Sequence, residues 1–455
     1  MRDLVFIAFL GLFFMAGFRK PFIFVLAYVY IDIVSPQRLT YLLLNSVPIS
    51  LIAVGLCVSA WALVDDKRDT RVAPRQLLIL LLLIYCGVST RTADFPIEAL
   101  DKWDWVWKCL AFAAFLPLTL RTRLRIESLL LVMILSAASI IIVGGIKTIA
   151  SGGGGYGELN LMVSNNSGLY EGSTISTVAV AIIPLILWFS KHGTIFPPDW
   201  KVKGFAYALI FACLLIPVGT STRTGLLCIG LVAVMLLREM KRKIAYLCIL
   251  GAIGVVAVPF LPSAFTDRMS TIKTYKADES ASTRLAVWQW TWDYAKDHPL
   301  GGGFEMYRQN QIRYDTEKVE GSAGNKSVQT SLTVDKARAF HSAYFEMLGE
   351  QGWPGLILWL AISLIGILRM EVVRQRYRKA PPEQAWITPL AGALQTAHFV
   401  YLLGAAFIGI AFQPFIYMLI GAQIGLDTYL ARKRSEESWR PLQRTRPATV
   451  QPEPA

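Results

Sequence analysis

Apolar residues fall in runs separated by short polar connectors, roughly at 4–18, 21–35, 43–64, 76–90, 104–120, 126–149, 174–190, 204–219, 225–238 and 243–262. Three more runs follow at 342–369, 386–405 and 408–430. A helix that crosses the hydrocarbon layer needs about 20 apolar residues. The pattern therefore predicts an all-α polytopic membrane protein with about 12–13 transmembrane helices. The first two runs are short and the second contains Asp32, so one of them is expected to be re-entrant or broken. One polar excursion, 263–341, interrupts the series and reads as a single large loop containing short helices. The chain thus divides into an N-terminal transmembrane region (1–125), a central one (126–262), the loop (263–341), C-terminal transmembrane helices (342–430) and a tail (431–455). The tail is rich in Arg and Pro and is expected to be disordered.

Composition agrees with this pattern. Of 455 residues, 54% are hydrophobic and 17% charged, against about a quarter charged in a soluble domain. The net charge of +13 invites a nucleic-acid reading. The basic residues, however, sit in alternate connectors: Lys67 to Arg75, Arg121 to Arg125, Lys191 to Lys203, Arg238 to Lys243, Arg369 to Lys379 and the tail from Arg432. The positive-inside rule makes that set cytoplasmic. It puts the other set on the outer side: 36–42, 91–103, 150–173, 219–224 and the long loop. Membrane orientation accounts for the charge, and no nucleic-acid partner is expected. The six cysteines lie in or beside apolar runs without disulfide or zinc spacing, and read as packing residues. Met1 to Gly17 is followed by Phe-Arg-Lys rather than a small-residue cleavage site, so no cleavable signal is expected. No inverted repeat is visible.

Candidate chemistry lies on the outer side. Arg223 sits in Gly219-Thr-Ser-Thr-Arg-Thr-Gly225 at a span end. There it is either an interfacial anchor or a phosphate ligand whose planar donors match phosphate oxygens two at a time. Arg284 opens Ser282-Thr-Arg-Leu-Ala-Val-Trp-Gln-Trp-Thr-Trp. This segment reads as a helix capped by Ser282 or Thr283, with Leu285, Trp288, Trp292 and Ala295 on one face. At that helix start Arg284 is an anion ligand or a surface ion-pair residue. His298-Pro-Leu-Gly-Gly-Gly303 reads as a turn, with His298 structural. His341 stands where the loop re-enters apolar sequence, and a neutral imidazole there can accept a proton from a hydroxyl. His192 and His398 lie in a cytoplasmic connector and a span. Arg91, Arg338, Lys102 and Lys108 are secondary candidates, otherwise interfacial anchors. Asp65-Asp66 is on the wrong side and Asp278-Glu279 is a lone pair. A metal-independent site is expected, with arginines supplying the positive charge and no cofactor.

The order of these features resembles the O-antigen ligase and O-antigen polymerase superfamily of bacterial inner-membrane glycosyltransferases. It comprises Arg223 at a span end, Arg284-x-x-x-Trp288, His298-Pro-Leu-Gly-Gly-Gly, then His341-Ser-x-Tyr-x-Glu-x-x-x-Glu-x-Gly352-x-x-Gly355. The likeness covers roughly 170–360. Met1-Arg-Asp-Leu-Val-Phe to Ile33-Val-Ser-Pro-Gln37 further resembles the O-glycosylation ligases associated with exosortase A systems. The family has Asn after the histidine where this chain has Ser342, which bears on a secondary contact. The resemblance implies transfer of a glycan from undecaprenyl diphosphate to a hydroxyl of a protein, lipid or polysaccharide acceptor, on the periplasmic side of the inner membrane. It assigns His341 as the loop histidine and Arg223 and Arg284 to the diphosphate. A Wzy-type polymerase, a polysaccharide flippase or transporter, and a non-enzymatic scaffold are the alternatives.

Overall fold

The structure is a computed structural model that describes residues 2–40, 44, 46–67, 70, 72–151, 169–238, 242–245, 248, 251–252, 279–320 and 327–438. Ten helices precede the loop among these residues: α1 (Arg2–Arg19), α2 (Phe22–Val34), α3 (Pro36–Leu39), α4 (Ile49–Leu63), α5 (Pro74–Arg91), α6 (Pro96–Thr119), α7 (Arg123–Ser151), α8 (Gly172–His192), α9 (Trp200–Gly219) and α10 (Arg223–Leu237). The loop carries α11 (Glu279–Asp297), a 3-10 turn (Met306–Gln309) and a hairpin of β1 (Gln311–Glu320) and β2 (Ser327–Lys336). Helices α12 (Ala343–Arg376), α13 (Ile387–Ala405) and α14 (Pro414–Ser438) complete the described chain. The run at 243–262, the loop before Glu279, the Gly-rich stretch 152–168 and the tail beyond Ser438 lie wholly or largely outside the described residues.

This is an all-α polytopic membrane fold. Helices α7, α8, α9 and α12 are long and apolar enough to cross a membrane, and α2, α4 and α10 are shorter apolar helices. Outward faces are greasy, as lipid contact requires. Leu77, Leu81, Ile84 and Val88 stand exposed at helical spacing along α5. Inside, one core runs from Leu10 to Leu430. The break expected within one of the first two runs is not seen: α1 and α2 are each continuous, and the chain turns only at the end of α2. Ser35 turns left-handed there (φ 50°), and Pro36 starts the short α3, which suits proline because a first helical residue has no amide bond to lose.

The loop departs from the expected short helices. It contains a 19-residue helix and an antiparallel hairpin that pairs Gln311 with Lys336 and Glu320 with Ser327. The sequence of β1 holds Ile312, Tyr314, Thr316 and Val319, and that of β2 two Val and two Thr, residues that suit a pleated surface. A small core of Val287, Met306, Ile312 and Phe340 holds helix and hairpin together.

Basic connectors gather at one end of the bundle. Arg125 grips Asp65 with two bonds of 2.7 and 2.8 Å, and Arg121 pairs with Asp66 at 3.7 Å. Arg123 donates to Glu127 at 2.6 Å and to the His192 carbonyl at 2.8 Å. Arg434 donates to the Tyr377 hydroxyl at 3.1 Å. The acid pair Asp65-Asp66 therefore serves these arginines. At the opposite end the Asp94 amide donates to the Gly302 carbonyl at 2.9 Å, which ties the α5–α6 turn to the loop. Of the six cysteines, five are buried and free as expected, whereas Cys248 is exposed.

Candidate functional site

The loop is built onto a break in α12. Gly352 has φ 62° and ψ −166°, which no helix interior allows, so α12 is two helices joined end to end. Such a break orphans backbone groups on both sides. The turn after α11 supplies their partners. The amides of Gly302 and Gly303 donate to the carbonyls of Gly349 and Glu350 at 3.0 and 2.9 Å, and the Trp353 amide donates to the Pro299 carbonyl at 3.0 Å. The Tyr85 hydroxyl donates to the carbonyls of Gln351 and Leu300 at 3.0 and 3.1 Å. Pro354 lies in the first turn of the second half, where it costs no bond. The glycine run is thus a backbone plug for the broken helix, and Gly301 shows why glycine is needed. Its φ is +81°, and a Cβ there would stand 2.5 Å from the Gly352 nitrogen. Gly301→Val is expected to undock the turn, lowering the thermal midpoint in detergent by several degrees and raising hydrogen exchange at the amides of residues 301–303 and Trp353. An unchanged exchange pattern would refute the plug.

Charge is buried beside the plug. Lys102 Nζ lies 2.7 Å from Glu346 and 2.9 Å from Glu350, whose side chain is fully enclosed. The Glu305 amide donates to Glu350 at 3.0 Å and the Ala411 amide to Glu346 at 3.1 Å. Lys102 is therefore neither an interfacial anchor nor directed at an anionic ligand. It also lies inside α6, which begins at Pro96, earlier than hydropathy suggested. Lys108 pairs with Asp104 at 2.7 Å.

His341 follows Phe340, whose carbonyl accepts the Trp288 indole N–H at 2.8 Å. Trp288 stacks on Phe345 with centroids 5.1 Å apart. These two contacts bring the Arg284 end of α11 to the start of α12. His341 does not begin that helix; Ser342 is its N-cap and Ala343 its first residue. The His341 backbone is left-handed (φ 49°), a conformation that costs energy in a non-glycine residue and concentrates at functional sites. The residue is exposed, yet part of the ring is packed away. Desolvation is the largest cause holding its pKa below the ordinary value. The charges of Arg284 and Arg338 push the same way, and Glu171 opposes them. Arg284, Arg338, Glu171 and His341 thus share one electrostatic neighbourhood.

Other candidates fall into place around this group. Helix α11 starts at Glu279, so Ser282 and Thr283 lie within it rather than capping it. Arg284 is consequently in the second turn, beyond most of the helix-terminal field. The buried face is Val287, Thr291 and Ala295, while Leu285 is 57% exposed; the expected face is rotated by about one position. Arg338 pairs with Asp335 at 2.6 Å. His298 stacks on Tyr294 at 4.2 Å, a structural role as expected. Arg91 is exposed at the end of α5. Its turn meets the far end of α11, where the Tyr294 hydroxyl donates to Asp94 at 2.9 Å, about 15 Å along the helix from Arg284 at 1.5 Å per residue. The structure therefore does not join Arg91 to His341.

Arg223 is the first residue of α10. Its turn is bonded to the start of α8: Ser176 and Thr220 hydroxyls are 2.8 Å apart, and Thr222 donates to Ser176 at 3.0 Å. Glu171 caps α8, accepting from the Thr174 amide at 2.5 Å. Through Glu171 the Arg223 turn and His341 reach one end of the bundle. Sequence reading passed over Glu171 because it lies in a Gly-rich connector without a motif. No group of three or more His, Cys, Asp or Glu side chains is placed to hold a metal ion among the described residues.

Comparison with known proteins adds two partial matches. No curated protein matches the chain. Residues 1–194 match a family model described only as a family of unknown function. Residues 206–360 match the model described as O-antigen ligase. That second segment holds Arg223, Arg284, the glycine plug, His341 and the Gly352 break, so the part of the chain that carries the candidate site is similar to O-antigen ligases.

Proposed function

We propose that this protein is a glycosyltransferase that moves a glycan from undecaprenyl diphosphate to an acceptor hydroxyl, an O-glycosylation ligase of the kind associated with exosortase A systems. The observation that carries this reading is the meeting of Arg284 and Arg338 with a partly desolvated His341, within the segment matched to O-antigen ligases. The basic end of the bundle and the tail face the cytoplasm of a bacterial inner membrane, by charge bias. The loop end, which carries α11 and the hairpin, faces the periplasm.

The chemistry follows from the groups. The bond between the sugar C1 and the diphosphate oxygen breaks, and the pair of electrons leaves with undecaprenyl diphosphate. Arg223 and Arg284 stabilise that negative charge; guanidinium groups suit it because they bind phosphate oxygens in pairs and keep their proton. The acceptor oxygen bonds to C1, and its proton passes to His341 and then to water. A lipid diphosphate is already a good leaving group, so charge stabilisation outweighs acid catalysis.

The test is transfer in proteoliposomes, using lipid-linked glycan and acceptor extracted from the native membranes. Arg284→Ala is expected to lower kcat/KM by about 10²-fold or more, and Arg284→Lys to recover only part, since Lys is a point charge. Wild-type rates in Arg284→Ala would refute the diphosphate assignment. Glycan attached to the acceptor supports a ligase, a ladder of repeats on the carrier identifies a polymerase, and lipid movement without transfer identifies a flippase.

A further inference from the structure

A second recess opens at the loop end, apart from the arginines. It encloses about 400 Å³ and is walled by the start of α6, by the loop beside the 3-10 turn, and by the turn before α14. That volume lies in the range of small-ligand pockets. Three aromatic rings, Trp105, Tyr307 and Phe412, line it. So do four carboxylates, Glu98, Asp101, Glu305 and Glu346.

The two cations of the wall are already engaged. Lys102 holds Glu346 and Glu350, and Arg308 lies 3.2 Å from Glu305 and 3.8 Å from Glu98. Four carboxylates against two cations leave the recess acidic, which repels a diphosphate. Carboxylates accept well from hydroxyls, and flat aromatic rings cover the C–H face of a pyranose. Glu305 adds a second sign of a built site. Its backbone is left-handed (φ 64°), held so by the bond from its amide to the buried Glu350; strain of this kind clusters where ligands are held. Tyr307 also touches Phe340, ring centroids 5.7 Å apart, and Phe340 directly precedes His341.

We infer that this recess is a subsite for an uncharged sugar, one residue removed from His341 and distinct from the diphosphate ground around Arg284. The sugar belongs to the donor glycan or to a glycosylated acceptor. The inference rests on the proposed function only for that choice of source.

Binding and kinetics test it separately. The full chain in lipid nanodiscs is mixed with the oligosaccharide released by mild acid from the lipid-linked glycan pool of the native membranes. Saturation-transfer NMR is expected to show sugar contact that pyrophosphate does not displace. Trp105→Ala and Asp101→Asn are each expected to weaken that contact about tenfold, while Trp105→Phe, which keeps a ring, retains most of it. In the transfer assay the same variants raise the KM for one substrate about tenfold with kcat within about twofold. The substrate affected names the source. Acceptor-side sugar binding is read by repeating the NMR with the extracted acceptor. Wild-type contact and wild-type KM values in both Trp105→Ala and Asp101→Asn would overturn the subsite, as would displacement by pyrophosphate. Asp101 is exposed, so its variant reports even where Trp105→Ala unfolds. A wild-type protein that binds the oligosaccharide but transfers nothing would refute the proposed function and leave the subsite standing.

Discussion

His341→Asn is expected to lower glycan transfer by about 10²- to 10⁴-fold, the range for loss of a general base, while folding and membrane insertion stay intact. Asn is the informative replacement. His341 holds φ 49°, and Asn tolerates that left-handed conformation better than Ala does, so activity is lost without added backbone strain. The measurement is single-turnover transfer in proteoliposomes beside a thermal-shift control. Wild-type turnover in His341→Asn would remove the base assignment. The pH profile sharpens the test. Desolvation and the nearby Arg284 hold the His341 pKa below its ordinary value, so the ring stays neutral as pH falls through about 6.5 and the acid limb lies lower still. Arg284→Gln removes one of the two arginine charges and is expected to move that limb upward. The sign for stability is the companion. Below about 6.5 the unfolded chain takes up a proton that the folded site resists, so His341 costs stability as pH falls there, and His341→Asn relieves that cost.

Lys102→Met is expected to destabilise the fold by about 3–5 kcal/mol, the cost of stranding buried charge. Lys102 is the only cation in contact with Glu346 and Glu350 among the described residues. Its removal leaves two carboxylates together at the head of α12, one of them fully enclosed. The change is read as a fall in thermal midpoint in detergent and a loss of folded protein at expression temperature. The double variant Lys102→Met with Glu350→Gln recovers a large part of the loss, because the coupling between contacting charges is not additive. Additive losses in that cycle would show that the cluster contributes through shape rather than charge.

These two residues also mark how far sequence reading carries. The spans, the connectors' alternation, and the order Arg223, Arg284, His341 were legible because each depends on local composition or on a residue type with its own chemistry. Lys102 was not. An isolated lysine near an apolar run looks like an interfacial anchor until its partners are known, and Glu346 stands 244 positions away. Gly301 and Gly352 were similarly opaque. Each reads alone as a turn or a weak helix residue, and only their backbone approach explains both. Arg91 is the opposite case: the connector it shares reaches the loop at the end of α11 away from Arg284, a placement that only the folded chain shows. The hairpin is hard to read from sequence because its alternating Val328, Thr330, Leu332 and Val334 lie in a polar stretch whose strongest pattern is the helical one of 284–295.

The break at Gly352 has a mechanical consequence. The stretch Ala343–Gln351 is continuous with the loop through the plug, while the part that meets lipid starts at Trp353. From Trp353 to Arg376 the helix is about 36 Å long at 1.5 Å per residue, enough to cross a bilayer with some tilt. Tilting of that lower segment below the break is the expected response to a change in bilayer thickness. The head of α12, with Glu346, Glu350 and the adjoining His341, is clamped by Tyr85 and the Pro299–Gly303 backbone. A break placed there is expected to insulate the positions of the candidate site residues from the lipid composition around them.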